Sequence, residues 1–122
     1  MRSYCKSDFT VLEIGTTTGE MLLNLSLNCN EGVGIDYSTM MIEEAKKKNA
    51  PSNITFKVDD ATNLSFPNES FDLIFTISTL QVVTPLEDVL SEIFRVLKPE
   101  GIFIAIVPIV NKNWFKAGFE KV

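Results

Sequence analysis

Short apolar runs alternate along the chain with segments whose apolar positions recur at helical spacing. Phe9–Ile14 predicts a first buried strand. In Glu20–Leu27, Met21, Leu22 and Leu25 predict a helix, and Asn28–Gly32 its exit turn. Val33–Ile35 is a short strand ending at Asp36. Ser38 is suited to cap a helix over Ser38–Lys48, with Met41, Ile42 and Ala45 on its apolar face. Glu43 and Glu44 fall early in that helix and three lysines late, as its dipole favours. Pro51-Ser52-Asn53 breaks it. Ile54–Val58 alternates as a third strand, Asp59–Ser70 reads as a loop with room for one helical turn, and Phe71–Ile77 is a fourth strand. Pro85 fits the first turn of a helix running to Leu97, with Leu86, Val89, Leu90, Ile93 and Leu97 on one face. Lys98–Gly101 reads as a stop and turn, and Ile102–Val110 as a fifth strand. Asn111–Val122 is aromatic and basic and follows neither period.

Strands alternating with helices argue for parallel βαβ units, and near-continuous apolar strands for a sheet covered on both faces. In such a sheet ligands bind beyond the carboxyl ends of the strands. Glu13 and the turn Gly15-Thr16-Thr17-Thr18-Gly19 stand after strand one, Asp36 and Tyr37 after strand two, Asp59, Asp60 and Ala61 after strand three, and Thr76, Ile77 and Ser78 after strand four. A carboxylate about 20 residues beyond a glycine turn can accept both hydroxyls of a ribose. Asp36 is so placed; the plainer reading is that it starts the turn into the next helix. The Gly15/Gly19 spacing is not the G-x-G-x-x-G of a dinucleotide site. Glu13, just before the turn, opposes a pyrophosphate and suits an ammonium or sulfonium.

Composition narrows the chemistry. The chain has 122 residues, a length that fits one domain. Its net charge of −5 argues against general affinity for nucleic acid or anionic membrane. The two cysteines, Cys5 and Cys29, form no CxxC, so a disulfide framework or zinc site is not expected, and a reducing, cytoplasmic setting is. No stretch has the length of a transmembrane helix. The chain has no histidine, which removes every Ser-His or Cys-His nucleophile scheme. No metal triad is apparent, since Asp59 and Asp60 are neighbours facing opposite ways on a strand.

Val11–Gly19, Val33–Tyr37, Asp59-Asp60-Ala61, Phe66–Asp72 and Glu92–Gly101 together resemble the class I S-adenosylmethionine-dependent methyltransferases, in particular those acting on small molecules such as quinones and sterols. The resemblance spans about residues 10–108. It implies a Rossmann-like three-layer α/β sandwich, a mostly parallel sheet of strand order 3-2-1-4-5, and S-adenosyl-L-methionine as cofactor. It places Glu13 near the methionine end, Gly15, Thr16, Thr17 and Gly19 along the cofactor, and Asp36 on the ribose. Tyr37 falls on the adenine, Asp60 and Ala61 at its amino edge, and Thr76 and Ile77 beside the methionine. Asp72 and Arg95–Gly101 take structural positions.

The sequence departs from that pattern at Thr17, where the family has a glycine and where a positive φ would strain a β-branched residue. Glu100 stands where a second glycine is usual, and Gln81 and Val82 where relatives often carry histidines. Only about eight residues precede strand one and about twelve follow Val110, too few for a helical lid or for the usual final antiparallel strand pair. One domain over 1–122, with a core of about 8–110, is therefore expected to leave strand five as an apolar edge, to be covered by Asn111–Val122 folding back, by a homo- or hetero-oligomeric partner, or by the rest of a longer protein. Two functions follow: methyl transfer to a small-molecule acceptor, or a truncated, inactive relative serving as a partner subunit. A nicotinamide-dependent oxidoreductase is disfavoured by the glycine spacing. Asp59, Glu13 or a tyrosine are the available bases, with none singled out.

Overall fold

The computed structural model of the chain describes residues 4–77 and 85–107. Among these residues five strands form one parallel sheet: β1 (Thr10–Ile14), β2 (Glu31–Asp36), β3 (Ile54–Val58), β4 (Phe71–Ile77) and β5 (Leu97–Ile106). Their order is β3-β2-β1-β4-β5. The helices are α1 (Glu20–Leu25), continued by a 3-10 turn at Ser26–Asn28, then α2 (Thr39–Lys46) and α3 (Leu86–Val96).

This order fixes the layers. The chain steps outward from β1 to β2 to β3, then returns to the other side of β1 for β4 and β5. Right-handed crossovers therefore put α1 and α2 on one face and α3 on the other. The core divides accordingly. Leu22, Leu25, Ile42 and Ala45 pack with Val11, Ile54, Phe56, Leu73 and Phe75 on the first face. Val89, Ile93 and Val96 pack with Leu12, Ile14, Ile35, Leu64 and Ile74 on the second. Strand order reverses at β1 and β4, whose carboxyl ends lie side by side, with Ile14 opposite Thr76.

The third and fourth strands lie where the alternation placed them, and Ser38 caps α2 by accepting from the Met41 N–H at 3.3 Å. Other boundaries differ. The helix read over Glu20–Leu27 narrows to a 3-10 turn after Leu25, and β2 begins at Glu31, ahead of Val33. Met41 is 40% exposed, so Ile42 and Ala45 alone carry the buried face of α2. Pro85 is the N-cap of α3, and Val96 closes its buried stripe while Leu97 opens β5.

The Lys98–Gly101 turn is instead a bulged start of β5. Phe71 pairs with Leu97 and Leu73 with Ile102, so the chain bulges between those pairs. Pro99 has no N–H to give the ladder. The conformation also needs Gly101, where a Cβ would lie 2.5 Å from Leu97 Cδ1. Asp72 fastens this end of the sheet, accepting from the Thr10 N–H at 2.8 Å and from Lys98 Nζ at 3.2 Å. The readings made for Ser78, Gln81, Val82, Pro108–Val110 and Asn111–Val122 fall outside the described residues.

Candidate cofactor site at the sheet switch point

The turn after β1 is built from two glycines and a strained threonine. Gly15 and Gly19 have φ of 73° and 87°, in the left-handed region that glycine enters freely. Thr17 lies there too, at φ 51°, so the strain expected for a β-branched residue at this position is present. Two hydrogen bonds hold it. The Thr17 N–H donates to Asp36 Oδ2 at 2.9 Å, and its hydroxyl donates to the Thr16 carbonyl at 2.7 Å. Asp36 Oδ1 accepts the Ser38 N–H at 2.9 Å. The carboxylate of Asp36 is thus pinned by two backbone N–H groups, one from each loop. A carboxylate has about four acceptor positions, so two directions remain for a ligand.

Beneath the turn the packing depends on glycine. A Cβ on Gly34 would lie 2.5 Å from Thr16 Oγ1 and 2.8 Å from the Phe56 ring, and one on Gly19 2.5 Å from Phe56 Cζ. Phe56 of β3 therefore lies against Gly19 of the loop, and it shares the bare face of Gly34 with the Thr16 side chain. The roles of Gly34 and Phe56 went unread in the sequence, although a glycine inside a strand is itself a sign of close approach.

Thr16 donates to Glu13 Oε1 at 2.7 Å, and both residues are buried. Burial, reinforced by Asp36 and Glu20, outweighs the Thr16 hydrogen bond and pushes the Glu13 carboxyl up to about 8. Glu13 is thus mostly protonated at neutral pH, and the fixed negative charge expected of it is absent without a ligand.

Along the edge of the sheet, Tyr37 is 82% exposed beside Asp36. Asp59 N–H donates to the Asp36 carbonyl at 3.1 Å, which joins the β3 loop to β2. The Asp60 carboxylate accepts from the Thr62 N–H and hydroxyl through Oδ1; Ala61, next to it, is half-buried. Both oxygens of Asp59 are used within its own loop, by Asp60 N–H and by Ser65. Asp59 and the enclosed Glu13 are therefore poorly disposed to act as bases on a substrate. Thr76, 1% exposed, holds a hydroxyl with no hydrogen-bond partner among the described residues, and Ile77 follows it, half-buried.

The structure thus joins Glu13, Thr16, Thr17, Gly19 and Asp36 through hydrogen bonds, places Gly15 in the same turn, and sets Thr76 opposite Ile14. Asp60 and Ala61 stand two strands away from β1, roughly 10 Å in sheet spacing, a span suited to a nucleoside. The residues fit such a cofactor in three respects: an anchored carboxylate with open lone pairs, a glycine-floored turn, and a buried hydroxyl wanting a partner.

The family model described as "Methyltransferase domain" matches residues 12–105. The ubiquinone/menaquinone biosynthesis C-methyltransferase UbiE of Desulfotalea psychrophila is 38% identical over 93 residues, which are 75% of this chain and 38% of that protein. The uncharacterized methyltransferase YcgJ of Bacillus subtilis is 30% identical over 84% of this chain and 42% of its own length. Its crystal structure superposes with a TM-score of 0.77 at 30% identity, covering 82% of this chain and 44% of that one. A methyltransferase of Haloferax volcanii, solved in complex with the activator Trm112, gives a TM-score of 0.83 at 26% identity over 96% of this chain and 53% of that one. The chain spans about two fifths of the length of these curated relatives. By sequence and by fold, it belongs to the class I S-adenosylmethionine-dependent methyltransferases.

Proposed function

We propose that residues 1–122 form one cofactor-binding methyltransferase domain, with its core over about 8–110, serving methyl transfer to a small-molecule acceptor. The observation that carries this reading is the Asp36 carboxylate, clamped by the Thr17 and Ser38 N–H groups at the switch point with acceptor positions to spare. Asp36 accepts the ribose hydroxyls, Tyr37 covers the adenine, and Asp60 with the Ala61 backbone meets its amino edge. Gly15, Thr16, Thr17 and Gly19 admit the backbone to the cofactor, Glu13 balances the positive methionine end, and Thr76 and Ile77 close that side. The relatives named for ubiquinone, menaquinone and demethylmenaquinone support a quinone-like acceptor methylated at carbon.

When bound, S-adenosylmethionine supplies a methyl group on an electrophilic sulfonium. The chain's own work is alignment and exclusion of water, since in-line displacement at such a carbon depends mainly on placement and desolvation. The buried floor of Thr16, Gly34 and Phe56 keeps the turn fixed while the acceptor is presented from above. The setting is taken as cytoplasmic; among the described residues no helix is long and apolar enough to cross a membrane.

Calorimetric titration with S-adenosylmethionine and S-adenosylhomocysteine tests this reading. Saturable heat is expected with both, and folded protein that gives none at millimolar ligand sinks it. A pairing partner at β5, the outermost strand beyond β4 among the described residues, is supported by its partly exposed Ile106. Light scattering on the purified chain tests it, with a dimer expected.

A further inference from the structure

The most unusual group in the molecule is the carboxyl of Glu13. It is 3% exposed, and among the described residues the groups that act on it are two hydrogen-bond donors and two carboxylates. Phe75 of β4 and Gly34 of β2 are its strand neighbours. The Thr16 hydroxyl donates to it, and the backbone of Leu22 in α1 faces it. Among the described residues, the charged groups that reach it are two carboxylates, Asp36 at the end of β2 and Glu20 at the start of α1. Lys48, two residues past α2, is engaged by Glu20 itself. An ionised Glu13 would thus sit in low dielectric beside two like charges.

We propose that this turn couples cofactor binding to a proton: seating a cationic ligand against Gly15–Gly19 ionises Glu13, and its proton leaves to water. The coupling rests on the reading that S-adenosylmethionine is the ligand and assigns Glu13 a regulatory part in that same site. The physical reason is a reversal of sign. Without ligand, burial and two neighbouring carboxylates favour the neutral carboxyl. An arriving ammonium and sulfonium favour the charged form instead. No bond to carbon or sulfur changes; one O–H bond of the carboxyl is exchanged for a protonated water or buffer molecule.

Affinity for the cationic cofactor therefore rises with pH, by up to about tenfold per unit, until Glu13 is already ionised without ligand. S-adenosylhomocysteine keeps the ammonium but lacks the sulfonium charge, so it drives ionisation less. The preference for cofactor over product then grows as the pH rises toward 8.

The test is calorimetric titration of the full chain with S-adenosylmethionine at pH 6–9, in buffers of different ionisation enthalpy, for wild type and Glu13→Gln. The ligand's own amine is common to both proteins, so their difference isolates Glu13. Wild type is expected to release close to one more proton than Glu13→Gln near pH 6.5, a difference that fades above pH 9. Equal proton release by the two proteins overturns the coupling. The side-chain carboxyl carbon of Glu13, followed by NMR in wild type with and without ligand, reads the same event even if Glu13→Gln does not fold. Titration in the ordinary carboxylate range without ligand also overturns it. Failure to bind S-adenosylmethionine at all overturns the cofactor reading and the coupling together, and the absent heat of binding separates that outcome from loss of the coupling alone.

Discussion

Thr17 is the residue at which local preference and tertiary demand conflict. Its φ of 51° is held by its bonds to Asp36 and Thr16, and a non-glycine residue there costs about 1–3 kcal/mol. Thr17→Gly removes that strain and keeps the N–H that Asp36 needs, while adding freedom to the unfolded chain worth roughly 0.5–1 kcal/mol. The variant is expected to melt a few degrees higher; a lower melting temperature would mean that the Thr17 hydroxyl outweighs the strain. Asp36 has the opposite character, since its carboxylate holds two loops and keeps acceptor sites for a ligand. Asp36→Ala is expected to weaken S-adenosylmethionine binding by about 1–3 kcal/mol, measured by calorimetry, and an unchanged Kd would remove Asp36 from the ribose. The strain at Thr17 could be anticipated from the sequence because the family resemblance puts a glycine there and a β-branched residue at positive φ is strained. The contact between Thr16 and the bare backbone of Gly34 is not, because it arises between strands.

Among the elements, β3 and the loop that follows it do more than their pattern suggests. Phe56 lies under Gly19 and against Gly34 and Ala45, so one ring links β3, β2, the cofactor turn and α2. Phe56→Ala should cost about 3–5 kcal/mol and loosen the turn; a small loss in denaturant midpoint would show that α2 collapses into the space. The Asp59–Ser70 loop holds one hydrogen-bonded turn, Asn63 N–H to the Asp60 carbonyl at 3.0 Å, without a helix, and it is firmly held. Arg95 of α3 donates to the Leu64 and Phe66 carbonyls at 3.0 and 2.9 Å and to Asn68, while Glu92 accepts the Leu64 N–H at 2.7 Å and pairs with Arg95. Arg95→Ala is expected to speed amide exchange across Leu64–Ser70 and lower the melting temperature, with the first strand pairs unaffected. Sequence periodicity locates α3 because its buried stripe repeats within one element. It misses the loop's order because backbone carbonyls, which every residue has, are the partners.

At the scale of the whole molecule, Glu13 ties stability to pH. Its folded-state carboxyl titrates at about 8 against an ordinary 4.5, so the folded chain binds more protons than the unfolded chain between those values. Its contribution is complete below the unfolded value and is lost as pH rises through the folded one. Stability should therefore fall between about pH 5 and 8 by on the order of a few kcal/mol, and Glu13→Gln should flatten that slope in urea titrations. A parallel slope in both proteins would assign the effect to other groups.

Sequence alone determined the alternation of strands and helices, the layered parallel sheet, the family and the acidic residues at the strand ends. The alternation and the sheet follow from the periodicity of apolar side chains and from the residue types that turns and caps require, and the family from the resemblance carried by the motifs at the strand ends. Tertiary structure alone decided that Glu13 is enclosed and mostly neutral, that Asp36 is pinned by both loops, and that Gly34 and Phe56 form the floor of the turn. Burial, dielectric and close approach belong to the space between elements, and no single stretch of chain encodes them.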